Sequence, residues 1–329
     1  MSGVSDVLGA AQERAPRLVH QGLVYGSDQE FLAATVPFCL DGLEEDDAVL
    51  AVTTKANIDL LRQQLGSSAR DVEFIVADEW YRAPGRTLAA YYRYVDERTG
   101  AGPHQRVRVI GEPVWHGRDV LETDEWTRYE SAINVAFADC PAWIVCPYDT
   151  RVLPASVVAD ARRTHPQLVS GAAARASGHY AAPLDGAWGR TLSPVPSDGR
   201  AVLRFDADLS AVRPFVARAA TSLGMSSAGA DRLVFAVNEV ATNAVQHGGG
   251  AGEVALWRSG HRVVCDVRDS GGRGGSVDGH WMLGYMPPES GRARGHGLWT
   301  VRQLCDVVEV EPGIAGTTGT TVRLHLNLA

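Results

Sequence analysis

Two hydrophobic patterns follow one another along the chain, and the change falls near residue 200. Residues 48–53 (AVLAVT) form an unbroken apolar run, which marks a strand buried on both faces. Shorter extended stretches are predicted at 23–25, 72–76, 106–110 (RVRVI) and 142–146 (AWIVC). Between them, apolar positions recur at helical spacing. Phe31, Leu32, Thr35, Val36 and Cys39 predict a helix over 28–42, and further helices are expected over 57–65, 87–98 and 124–138. Strands alternating with helices imply a doubly wound, mostly parallel sheet across residues 1–165.

Residues 166–200 are rich in Ala, Gly, Ser and Pro, with Pro166, Pro183, Pro194 and Pro196 and no sustained period, and are expected to be an extended linker. The order then changes over 201–329. A strand at 202–205 and a helix at 209–223 precede a long helix at 230–247, which the glycines after it stop. Residues 252–258 and 262–268 form a hairpin around Ser259-Gly260. After a glycine-rich, unperiodic stretch over 270–294 come a helix at 297–305 and strands at 307–310 and 320–326. This order gives an α/β sandwich of helices on an antiparallel sheet.

A length of 329 residues suits two such domains. The net charge of −8 argues against direct DNA binding, which wants a basic face. No apolar run approaches the roughly 20 residues that span a bilayer. The first residues, with Asp6, Glu13 and Arg14, lack a signal-peptide core, so a cytoplasmic protein without membrane contact is expected. The five cysteines, Cys39, Cys140, Cys146, Cys265 and Cys305, form no C-x-x-C pair and read as free thiols.

The long helix carries the first candidate chemistry. Leu233, Ala236, Val237, Val240, Ala241 and Ala244 make one apolar face, while Glu239 and Asn243 lie together on another side. A carboxylate and an amide oxygen at this spacing suit proton handling and a hard cation, although most helical Glu and Asn residues are simply solvated. Next comes Val267-Arg-Asp-Ser-Gly271 at a strand end. Asp269 can accept from an exocyclic amine, and Gly271 lets a planar base approach the backbone; a plain turn is the alternative. The run Gly291-Arg-Ala-Arg-Gly-His-Gly-Leu-Trp299 precedes a helix, where free N–H groups and the helix dipole favour phosphate oxygens. Arg292 and Arg294 add positive charge there. Finally, Gly319-Thr-Thr-Val opens the last strand, and Thr320 is placed to reach a base.

Taken in order, E-x-x-x-N with a following H-G, then D-x-G, G-x-G-L before a helix, and G-T-T resemble the GHKL (Bergerat-fold) ATPases. The form Asn238-Glu-Val-Ala-Thr-Asn-Ala-Val-Gln-His-Gly248 resembles the anti-sigma-factor serine kinases. The resemblance spans about residues 201–328 and implies ATP or ADP with Mg²⁺ as cofactors. It makes Glu239 the general base for a protein hydroxyl and Asn243 the Mg²⁺ ligand. Asp269 would take the adenine amine. Gly271, Arg294, Gly295, His296, Gly297, Leu298 and Thr320 would line the nucleotide, and 270–294 would be the ATP lid. It also implies a sigma factor and a STAS-type anti-anti-sigma antagonist as partners, with Arg213 on the helix that faces the sigma factor. Relatives of this kind tend to pair as homodimers. The histidine kinases' phosphoacceptor hairpin is missing, since a Pro/Gly linker stands in its place, and His247 belongs to the H-G ending rather than to an acceptor site.

The front domain has its own resemblance. The stretch 20–31, Gly111-Glu-Pro-Val-Trp115, Tyr129-Glu130 with Asn134, Cys146-Pro-Tyr-Asp149 and Thr164-His-Pro166 resemble the sensory domain named from methanogens, methylotrophs and the dichloromethane regulator (MEDS). That family is similar to RecA-like folds, but this chain has no G-x-x-x-x-G-K-[ST], so a phosphate-cradling P-loop is not expected. A ligand sensor or docking module is the implied role, and Glu112, at a strand end, is placed where it could point into a ligand crevice. His20, His116, Cys146 and His165 are metal-ligand types whose separations show no ligand spacing, and a structural role is expected of each. The whole chain then reads as an anti-sigma regulatory kinase under sensor control. The alternative is a partner-binding module that transfers nothing.

Overall fold

The structure is a computed structural model that describes residues 17–100, 102–183, 191–271, 280–288, 296–313 and 319–328. The first unit runs through β1 (Val19–Tyr25), α1 (Asp28–Glu44), β2 (Ala48–Thr53), α2 (Lys55–Leu65), β3 (Glu73–Val76), the single turn α3 (Ala77–Trp80) and α4 (Pro84–Val95). It continues with β4 (Val107–Gly111), α5 (Val120–Ala136), β5 (Ala142–Asp149), α6 (Ala155–Thr164), β6 (Gln167–Ser170) and β7 (Ala173–Ala176). The strands form one sheet in the order β3-β2-β4-β5-β1-β6-β7, parallel throughout except for the β6–β7 hairpin at its edge. β2 and β4 are buried at every position, as the apolar runs require of strands covered on both faces. One face packs Leu23, Phe31, Ala51, Leu61 and Ile110 against α1 and α2. The other packs Leu50, Val52, Val109, Ile144 and a group of aromatics against α4, α5 and α6.

The second unit contains β8 (Ala201–Phe205), α7 (Val212–Ser222), α8 (Ser227–His247), β9 (Gly252–Ser259), β10 (Arg262–Asp269), α9 (His296–Leu304), β11 (Val307–Glu311) and β12 (Thr321–Asn327). Its sheet is antiparallel in the order β11-β12-β10-β9-β8. Ser226 caps α8 by accepting from Gly229 N. The helix buries Leu233, Ala236, Val237, Val240, Ala241 and Ala244 against Val254, Leu256, Cys265 and Leu324. Small residues on that face let the helix backbone approach the sheet. With the parallel sheet in front, this is the expected pairing of a doubly wound α/β unit and a Bergerat-type α/β sandwich.

Part of the Pro/Gly/Ala-rich stretch is ordered structure. Residues 167–176 are the β6–β7 hairpin that extends the first sheet. Further on, Val195 packs on Ala255, Trp257 and Val264, and Ser193 O accepts from Arg323, so this segment lies across the outer face of the second sheet. It covers the apolar patch of Ala255, Trp257 and Val264 on that face. No described helix is long and apolar enough to cross a membrane.

The two units share an apolar contact. Trp281, Met282 and Tyr285, from the stretch between β10 and α9, belong to the aromatic core of the first unit. α4 lies so close to α9 that a Cβ on Gly85 would stand 2.2 Å from the carbonyl oxygen of Arg302. α5 is consequently buried on nearly every side, with Glu125, Arg128 and Glu130 among its buried residues. This explains why its sequence shows no clean amphipathic period.

Candidate functional site

The predicted nucleotide residues come together at the end of α8. Glu239 and Asn243 lie on its half-buried side, and the backbone of α9 begins directly opposite them. A Cβ on Gly297 would sit 3.2 Å from Glu239 Oε2 and 3.5 Å from Asn243 Nδ2. Glycine keeps that gap open, so a phosphate chain at the start of α9 would meet both side chains and the helix N–H groups.

The floor of the site is Asp269, at the end of β10. Its Oδ1 accepts from Gly271 N and Thr320 N, both at 2.9 Å, and its own N–H donates to Thr320 O at 3.0 Å. Two backbone donors fix the carboxylate. Its second oxygen faces Gly248, where a Cβ would come within 2.6 Å. Gly271 has φ +87°, a left-handed conformation that glycine adopts without strain. Gly319 packs on Asp269 so closely that a Cβ there would overlap its backbone carbonyl. The glycines of H-G, D-x-G and G-T-T therefore serve one purpose, which is to bring three backbones up against one aspartate.

Other predicted residues fall differently. Thr320 contributes its backbone to Asp269. Leu298 is half-buried and packs against the core of the second unit. His296 is exposed at the start of α9. Arg294 and Gly295, like most of the lid at 270–294, lie outside the described residues. The glycine cradle and the half-buried Glu–Asn pair fit a nucleotide with its magnesium: Asn243 is the residue that would hold the ion, and the ion would supply charge neutralisation at the phosphates.

The site is tied to the first unit through α9. Arg302, 4% exposed, donates to Glu125 Oε1 at 2.9 Å, to Trp281 O at 2.8 Å, to Leu283 O at 2.7 Å and to Val308 O at 3.1 Å. The Tyr285 hydroxyl donates to the same Glu125 oxygen at 2.6 Å, and Arg128 approaches the other at 3.2 Å. Arg262, at the start of β10, pairs with Asp119 at 2.7 Å and with Glu122 at 2.8 Å at the start of α5. Arg86 pairs with Asp306 at 2.6 Å. Sequence reasoning missed this junction. Trp281 and Tyr285, large aromatics in an otherwise glycine-rich stretch, were the available signal.

In the first unit the crevice reading of Glu112 is corrected. Its carboxylate accepts from Tyr25 Oη at 3.2 Å, Asn57 Nδ2 at 2.9 Å, Thr54 N at 3.3 Å and the Thr53 hydroxyl, so the chain's own donors occupy it. Burial, with the Glu112 charge beside it, pushes the Tyr25 phenol well above its usual range. Three of the four metal-ligand types that show no ligand spacing in sequence are brought together by the fold. His20 on β1, Cys146 on β5 and His165 after α6 meet Glu130 of α5, and their donor atoms all lie within 4.8 Å of one another. His116 stands apart, exposed, 3.8 Å from Asp78. Burial lowers the pKa of His20, and so does His165. Burial alone would raise the Glu130 carboxyl, but its two histidine neighbours outweigh this and hold it below its usual range.

The chain joins a doubly wound α/β unit to a Bergerat-type α/β unit with a glycine cradle around Asp269, Glu239 and Asn243. Comparison with protein families agrees. Residues 19–166 match the MEDS family, described as the methanogen/methylotroph, DcmR sensory domain, and residues 205–326 match the histidine kinase-like ATPase domain. No curated protein matches the chain significantly.

Proposed function

We propose that this chain is an anti-sigma regulatory factor. Its C-terminal domain binds Mg-ATP, sequesters a sigma factor, and phosphorylates a serine or threonine of a STAS-type anti-anti-sigma antagonist. Its N-terminal domain sets that activity in response to a small molecule. The observation that carries the reading is the meeting of Glu239 and Asn243 with the glycine start of α9, above an aspartate fixed by two backbone donors.

Phosphoryl transfer asks mainly for positioning and neutralisation of charge, and needs no covalent nucleophile from the enzyme. Glu239 is the group at the site that can take the proton of an incoming hydroxyl. Asn243, one helical turn on, offers an amide oxygen to Mg²⁺. Asp269 offers its second oxygen to the adenine amine while the first stays bound to the backbone. The sigma factor would rest on the outer surface of α7 and α8, where Arg213 donates to Asn238 at 2.9 Å and Phe235 is 51% exposed.

The supported means of control is the junction. α9 opens the phosphate end of the site with Gly297 and enters the first unit with Arg302, so a shift of α4 or α5 acts on the nucleotide cradle through one short helix.

The test is phosphate transfer from labelled ATP to candidate STAS-type antagonists, comparing wild type with Glu239→Ala. Transfer that disappears in Glu239→Ala, with ATP still bound, supports the kinase. Transfer that persists removes Glu239 as the base. ATP binding without transfer to any antagonist that the chain binds would favour a module that only holds its partners.

A further inference from the structure

The cluster of His20, Glu130, Cys146 and His165 is built from four separate elements and is almost fully shielded, at 3%, 1%, 2% and 0% exposure. Both imidazole rings have their Nδ1 side committed. Ala161 O, which can only accept, stands 2.7 Å from His165 Nδ1. His20 Nδ1 stands 3.0 Å from Asn134 Oδ1, and the orientation of that amide is set by its Nδ2, which donates to Thr164 O at 2.8 Å. Each Nδ1 therefore carries a hydrogen, and each ring turns its Nε2 inward.

Those nitrogens face Glu130, at 3.6 Å from His20 and 3.4 Å from His165. Both Glu130 oxygens and His165 Nε2 are buried without a hydrogen-bond partner. The Cys146 thiol, 3.5 Å from His20 Nε2, can serve that one nitrogen with its proton. Glu130 and His165 Nε2 then face each other at 3.4 Å without a hydrogen bond. Buried polar atoms that converge without partners are expensive in a low-dielectric interior, and a shared cation satisfies them together.

The spacing is that of ligands around one ion. In a tetrahedral zinc site, bonds of about 2.1 Å to N or O and about 2.3 Å to S put N and O donors about 3.4 Å apart and N and S donors about 3.6 Å apart. Three of the six edges, at 3.4, 3.5 and 3.6 Å, lie close to those lengths, and all four donors lie within 4.8 Å of one another. Each histidine also makes the outer hydrogen bond that metal-bound imidazoles use to fix their tautomer, to a backbone carbonyl for His165 and to Asn134 for His20.

We propose that the sensor domain holds a zinc ion in a closed four-ligand site made of His20 Nε2, His165 Nε2, Cys146 Sγ and a Glu130 oxygen. Two imidazoles, a thiolate and a carboxylate form a borderline-soft set that suits Zn²⁺ over Mg²⁺ or Ca²⁺. Binding replaces the Cys146 proton with the metal and releases it to solvent. No redox change is involved. The ion ties the central strand β5 and its neighbour β1 to α5 and to the end of α6. It thereby anchors α5, whose Glu125 holds Arg302 on the far side.

The test uses the full chain expressed in zinc-supplemented medium, desalted and analysed for metal by mass spectrometry. Wild type is expected to carry about one zinc per chain, as is His116→Ala, while Cys146→Ala and His165→Ala lose zinc by at least about tenfold. If those variants fold poorly, wild type alone decides. Chelation should lower its melting temperature, Zn²⁺ should restore it, and Co²⁺ loading should give the visible absorption of a tetrahedral thiolate–cobalt centre. Folded wild type with no zinc and no thiolate–cobalt absorption would overturn the proposal. So would zinc held equally by wild type and folded Cys146→Ala.

Discussion

Replacing Glu125 with alanine tests whether the sensor domain reaches the nucleotide site. In the native protein Glu125 is 2% exposed and receives Arg302, Tyr285 and Arg128. Arg302 keeps its carbonyl partners after the substitution but loses its neutralising anion. A buried charge left without its partner costs about 3–5 kcal/mol if the surroundings stay dry. Water entering the new cavity relieves part of this, and parting the two units caps the cost at the energy of their contact. The expected outcome is undocking of Trp281 and Tyr285 and loosening of α9. ATP must then order α9 when it binds, and a coupling of about 1–3 kcal/mol corresponds to roughly 5–150-fold weaker affinity. Calorimetric titration with Mg-ATP, alongside thermal unfolding, measures both effects. A lowered melting temperature with unchanged ATP affinity would refute the coupling. If the melting temperature does not move, the burial argument itself fails.

Three further substitutions probe separate links. Gly85→Ala places a Cβ 2.2 Å from Arg302 O, where backbone meets backbone, and should part α4 from α9; hydrogen exchange should rise in both helices and not in β2 or β4. Asp269→Ala removes the acceptor of two backbone N–H groups, which should destabilise the second unit by about 2 kcal/mol in denaturant unfolding. Asp269→Asn keeps that acceptor and should preserve stability while weakening ATP, and retained affinity in Asn would count against the adenine contact. Glu112→Ala leaves the donors of Asn57 and Tyr25 buried and unmatched, at about 1–3 kcal/mol each, and should lower the melting temperature of the first unit; an unchanged one would return Glu112 to the crevice reading.

The two folds were legible because local chemistry determines them. AVLAVT can be stable only as a covered strand, and the helix at 230–247 shows its buried face and its glycine stop in plain sequence. The contacts around Asp269 were legible for a related reason: Gly248 and Gly319 leave no room for a Cβ beside it, and Gly271 takes a φ of +87°. The helix starts were less clear. α8 begins at its Ser226 cap rather than at the first apolar residue, and α5 begins at Asp119, whose capping box with Glu122 fixes it.

Contacts between distant segments were not legible. His20, Glu130, Cys146 and His165 come from β1, α5, β5 and the end of α6, and parallel sheet order alone makes them neighbours. No short ligand spacing can announce such a set. The junction escaped for the same reason. Trp281 and Tyr285 stand in an unperiodic stretch, and the buried charges of α5 obscured its period, because one side of that helix faces a second domain rather than water.

The central claim is a magnesium–nucleotide site at Asn243, and calorimetric titration of the full chain with Mg-ATP tests it most directly. The account predicts saturable binding by wild type that Asn243→Ala loses while keeping a native melting transition. Wild type that binds no Mg-ATP, or a folded Asn243→Ala that binds as tightly as wild type, would contradict it.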